Sequence, residues 1–107
     1  MASRLRVFKH LLQWLIVGSR GGVNRGRIIE ILKKEPLNAN QLCKVLGVDY
    51  RTVRHHLDVL AKNGLVTSVG ERYGKIYFVS QELEENYGDF VEIWKRIGKR
   101  SKKEVEE

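Results

Sequence analysis

The sequence predicts a mainly α-helical fold with one small β-hairpin. Three observations carry that prediction: apolar residues recur at three- and four-residue intervals through most of the chain, two helix caps stand close together in its middle, and the pattern switches to alternation after Gly64. A chain of 107 residues fits one domain. We assign residues 1–100 to that domain and 101–107, charged or polar except for Val105, to a tail. Hydrophobic content of 42% and charged content of 31% suit an ordinary globular protein and argue against general disorder.

The elements follow in order. Segment 3–17 reads as a helix, with Leu5, Phe8, Leu11, Leu12, Leu15 and Ile16 on one side. Trp14 and Val17 widen its apolar face beyond what one small core needs. Gly18 to Gly22 breaks it, and Asn24 is placed to cap a second helix over 24–35 whose apolar face is Ile28, Ile29, Ile31 and Leu32. Pro36 ends that helix.

The helix-turn-helix signal lies in 39–63. Asn38 and Gln41 have the spacing of a capping box, in which each side chain satisfies the other's backbone amide. Leu37 and Leu42 flank it as a hydrophobic staple. Gly47 follows so soon that the helix must be very short, and Asp49, with Val48 and Val53 as its staple, caps a longer one running to Asn63-Gly64. A short capped helix, a tight glycine turn and a longer capped helix form the helix-turn-helix pattern. Strands are expected within 65–79, joined by the loop Gly70-Glu71-Arg72-Tyr73-Gly74, so a wing follows directly. The expected architecture is thus a winged helix-turn-helix.

Ser80 is placed to cap a last helix over 81–100, with acids early and bases late as the helix dipole prefers. Leu83, Tyr87, Phe90, Trp94 and Ile97 form a short heptad seam. Two outer helices with apolar faces this wide predict a homodimer, its interface built from Leu5, Phe8, Leu12 and Leu15 of the first helix and the five seam residues of the last.

The net charge of +7 points to a polyanionic partner. Residues 1–29 hold six bases and no acid, whereas the last 27 residues hold eight acids and six bases, so the excess lies where the reading elements are expected. On the 49–63 helix, Val53, Leu57 and Leu60 share an inward side, while Arg51, Arg54, His55, Asp58 and Lys62 point away. The N-terminal half of such a helix enters the DNA major groove, which selects Tyr50, Arg51, Thr52, Arg54 and His55 as contacts. Arginine suits bidentate pairing with guanine. Arg72, Tyr73 and Lys75 of the wing would meet the backbone or minor groove, and Arg25 and Arg27 would reach a phosphate from a helix N-terminus. His55 and His56 project about 100° apart and cannot chelate one ion from a helix. His56 and His10 are expected at the edge of the core.

Other functional classes fit less well. The chain has no phosphate-cradling loop, no dinucleotide fingerprint and no nucleophile–base pair, so no enzyme is expected. No cofactor, metal or small-molecule ligand is expected either. The lone Cys43 excludes an intrachain disulfide and permits a reducing cytoplasm. The basic and then apolar first 17 residues imitate a secretory signal only loosely, and no stretch has the ~20 apolar residues of a membrane span. A protein-interaction or an RNA-binding module is the alternative on the same fold.

From Thr52 to Val66, with its His-Leu-x-x-Leu-x-x-x-Gly-Leu-Val core, the chain resembles the ArsR-type winged-helix regulators, and the Gly18-Ser19-Arg20-Gly21-Gly22 start resembles archaeal members. The resemblance spans residues 18–80. It implies a dimer through the first and last helices, an operator-binding repressor or activator, and a cytoplasmic location. The metal-sensing Cys-x-Cys of the family appears here as Cys43-Lys44-Val45, with one sulfur missing, and no histidine stands in 81–107. The resemblance therefore implies a branch without the metal site.

Overall fold

Helix α1, Ala2–Ile16, packs across α2, Gly22–Lys34, and the two frame one side of the core. The computed structural model describes the backbone of residues 2–106 and the side chains of residues 7–97. The chain then passes through a two-residue strand β1, Leu37–Asn38, into α3, Ala39–Leu46, and α4, Tyr50–Lys62. Strands β2, Val66–Val69, and β3, Ile76–Val79, form the hairpin around a 3₁₀ turn at Arg72–Gly74. The C-terminal part is α5, Gln81–Glu85, followed by α6, Tyr87–Glu106. This is the winged helix-turn-helix fold.

The caps form where the local sequence requires them. Asn38 Oδ1 accepts from the Gln41 amide at 2.8 Å, and Gln41 Oε1 accepts from the Asn38 amide at 2.9 Å. Gly47 turns the chain at φ 69°, a conformation only glycine takes without strain, and Asp49 accepts from both the backbone amide and the hydroxyl of Thr52. Gly64 closes α4 at φ 73°. The four residues expected as staples all join the core: Leu37, Leu42 and Val53 are buried and Val48 packs against it. The core gathers Leu12, Leu15, Ile28, Leu42, Leu57 and Phe90 from five helices.

Four local expectations change. Helix α2 starts at Gly22 behind Gly21 at φ 81°, not at Asn24, because Gly22 lies against α1. A Cβ there would stand 1.9 Å from the Ile16 carbonyl oxygen. Strand β1 was not expected: the extended residue that caps α3 also pairs with β3, which completes an antiparallel sheet in the order β1–β3–β2. The expected single 81–100 helix is divided at Asn86, where the Asn86 amide and side chain turn back onto Glu82 and Leu83, and its second part continues through the 101–107 segment to Glu106. His10 is exposed, not at the core edge.

The apolar seams of the outer helices serve this chain's own core. Phe8, Leu12 and Leu15 of α1, Leu83 of α5 and Phe90 of α6 are all buried within the single chain. Trp94 stacks on Phe90 and lies over Gly26, where a Cβ would meet its ring at 2.1 Å, and its indole donates to Glu30 at 3.0 Å. Tyr87 carries the Lys33 ammonium over its ring, and Ile97 packs against the core. These eight expected interface residues are thus engaged within the chain, where α6 packs on α1 and α2. The Leu5 side chain lies outside the described residues. Among the described residues, the apolar side chains left in solvent on α1 are Val7, 66% exposed, and Trp14, 62% exposed, one heptad apart with half-buried Leu11 between them.

Candidate nucleic-acid interface

The interface begins with the side of α4 that the core does not use. Val53, Leu57 and Leu60 are fully buried and fix the helix rotation. Tyr50, Arg51 and His55 are consequently exposed, with Thr52 and Arg54 half-exposed beside them. The wing stands next to this surface. Tyr50 and Tyr73 bring their rings to 6.2 Å, tilted by 46°, which joins the start of α4 to the wing tip. Between them a cleft of about 460 Å³ is lined by Tyr50, Arg54, Arg72, Tyr73 and Lys75. Five of the eight residues selected from α4 and the wing thus surround one cationic cleft, and Arg51, Thr52 and His55 extend it along the helix.

Arg54 is less free than its helical position suggests. Its Nη1 donates to the Tyr77 hydroxyl at 2.8 Å, and Nη2 lies 3.6 Å from Asp58 Oδ1, one turn further along. Tyr77, the residue that sequence reasoning missed, sits in β3 at 3% exposure. Its alternation with Ile76 and Phe78 places it on one side of a strand but does not show what its hydroxyl meets. At the wing tip Arg72 adopts φ 52°, the left-handed region that side chains other than glycine and asparagine rarely enter.

Arg25 does not belong to this surface. It is 4% exposed, and its guanidinium fills the corner between α1, α2 and α4. Nε and Nη2 donate to the Leu15 carbonyl at 3.0 and 2.9 Å, and Nη2 also donates to the Arg20 carbonyl at 2.8 Å and to the Ser19 hydroxyl. Nη1 lies 3.3 Å from His56 Nδ1. The side chain caps the C-terminal end of α1 with a cation, where free carbonyls and the helix dipole both favour one. His56 is buried, and burial, then the neighbouring Arg25 and His55 charges, pull its pKa below the ordinary imidazole value. It is therefore neutral, with Nδ1 as the acceptor. Arg27 is half-exposed on α2. Cys43 is half-buried on α3, and burial and Asp49 push its thiol pKa up, away from the thiolate that a soft metal needs.

Residues 23–68 match the family described as bacterial regulatory protein, arsR family. That segment, which runs from α2 into β2, is similar to the ArsR-type helix-turn-helix domain. No curated protein gives a significant sequence match to the chain. Solved structures share the winged helix-turn-helix fold of the chain. Staphylococcus aureus MarR, in complex with salicylate and kanamycin, superposes with a TM-score of 0.60 at 15% identity, covering 76% of this chain. The chain spans 57% of that protein's length. Streptococcus pneumoniae FabT in complex with DNA gives 0.56 at 18% identity, over 97% of this chain and 75% of the other. A protein of the thermoacidophilic archaeon Sulfolobus tokodaii gives 0.53 at 22% identity, over 92% of this chain and 98% of the other. Among the described residues, no helix is long and apolar enough to cross a membrane.

Proposed function

We propose that the protein is a DNA-binding transcriptional regulator that inserts α4 into the major groove of duplex DNA and sets its wing, residues 70–75, on the backbone or minor groove. The observation that carries this reading is the cationic cleft lined by Tyr50, Arg54, Arg72, Tyr73 and Lys75, with exposed Arg51 and His55 and half-exposed Thr52 beside it on α4. Half-exposed Arg27 is an outlying phosphate contact, whereas buried Arg25 is not one. The ArsR-type match over 23–68 and the DNA in the FabT complex, which shares the fold, support the same reading.

The protein is further proposed to act as a homodimer, with residues 1–100 as the functional unit. Support for a partner comes from the Val7–Leu11–Trp14 stripe of α1, where a tryptophan 62% exposed is apolar area that water does not favour. A second copy seated on that stripe would present two α4 helices to successive major grooves, about 34 Å apart.

The test is a binding titration with duplex DNA, single strands and RNA across a range of salt. Duplex binding is expected to dominate, with log affinity falling against log salt by about 0.9 for each phosphate contact. Equal affinity for all three, or none for any, overturns the reading in favour of the RNA-binding or protein-interaction alternative.

A further inference from the structure

Of the two arginines of α4, Arg54 is the one tied to the wing. Arg51 makes no side-chain hydrogen bond among the described residues, whereas the Arg54 guanidinium has one nitrogen on Tyr77 and the other beside Asp58. The Tyr77 hydroxyl is a fixed acceptor. Its ring is buried, and its strand is paired on both sides, with Tyr77 opposite Leu37 of β1 and Ser68 of β2. Burial raises the phenol pKa, so the group stays neutral. Guanidinium is a rigid planar fork of five N–H donors, and a fork with one nitrogen anchored and the other directed is held in plane. A long side chain ordered before binding loses less freedom when it meets a base.

We propose that Tyr77 is a specificity-determining positioning residue: with Asp58 it sets the plane in which Arg54 presents its remaining N–H donors to a base edge, so that the central strand of the wing sheet governs what the reading helix selects. The proposal rests on the DNA-binding reading and deepens it. The wing then does more than touch the backbone. It aims the helix's arginine, and any displacement of β3 relative to α4 changes sequence choice without changing charge.

The test selects bound sequences from a pool of randomised duplexes, using the unsubstituted protein, Arg54→Ala, Tyr77→Phe, the double variant and Asp58→Asn. Arg54→Ala is expected to lose preference at one base position. Tyr77→Phe keeps the ring in the core and is expected to weaken preference at that same position about tenfold, which is one charge-assisted hydrogen bond. The other positions, the affinity for unselected duplex and its salt slope remain as before. In the Arg54→Ala background Tyr77→Phe adds nothing. Asp58→Asn, an exposed substitution without risk to packing, weakens the same position to a lesser extent.

Unchanged preference at that position in both Tyr77→Phe and Asp58→Asn overturns the proposal, as do effects that add to those of Arg54→Ala. A loss spread over every position together with unselected duplex shows a merely structural tyrosine and also overturns it. If the unsubstituted protein enriches no sequence, the regulator reading itself has failed.

Discussion

Arg72 shows how one residue separates stability from binding. Its φ of 52° costs about 1 kcal/mol relative to glycine, which enters that region without a Cβ clash, while glycine returns a similar amount through its freedom in the unfolded chain. Arg72→Gly is therefore expected to melt within a few degrees of the unsubstituted protein yet to lose about 0.9 from the salt slope of duplex binding. Thermal denaturation and a salt titration read the two effects independently, and an unchanged slope removes Arg72 from the phosphate contacts. The exposure of Arg51 and His55 was legible in the sequence because a 100° projection separates helix sides whatever lies beyond them. Arg25 was misread for the converse reason. Beside Gly-rich sequence and near a helix start it has the signature of a phosphate ligand, but the acceptors that bury it against α1 and α4, Leu15 and His56, stand 10 and 31 residues away, where local pattern carries no information.

At the scale of elements, the Arg25–His56 contact joins the end of α1 to α4 and makes their packing pH-dependent. The folded protein holds His56 neutral, with its pKa depressed, while the unfolded chain titrates near the usual value of about 6.5. Below that value the unfolded state binds the proton that the folded state refuses, so the stabilising contribution is full above about pH 6.5 and is lost as pH falls toward the folded pKa. Melting temperature is expected to decline on acidification through this window, and less so in His56→Gln. Equal slopes for the two proteins would show that His56 does not titrate in unfolding. The helix-turn-helix caps were readable from sequence because each is made within four residues. Strand β1 was not, since two residues cannot show a period and its pairing depends on β3, 38 to 40 residues later. The division at Asn86 was likewise hidden, because the 4, 3, 4, 3 spacing from Leu83 to Ile97 continues across the break.

For the whole molecule, periodicity revealed that the outer helices have wide apolar faces but not which surface each face meets. Phe8, Leu12, Leu15, Leu83 and Phe90 read as available to a second subunit, and the tertiary packing of α6 on α1 and α2 consumes them. What remains outside on the outer helices, among the described residues, is the narrower Val7–Leu11–Trp14 stripe. This reduces the assembly question to a single side chain: Trp14→Arg places a charge in the proposed interface, and light scattering is expected to give a monomer mass with folding intact. An unchanged mass, dimer or monomer, rejects the stripe as the contact.

The two indoles stand in different surroundings, one bathed in water on α1 and the other lying over Gly26 with its N–H on Glu30. Fluorescence therefore offers two reporters in one unlabelled chain. Trp14 dominates the red edge of the emission and is open to collisional quenchers, so a blue shift with rising concentration tracks self-association, whereas Trp94 changes only when α6 leaves α2.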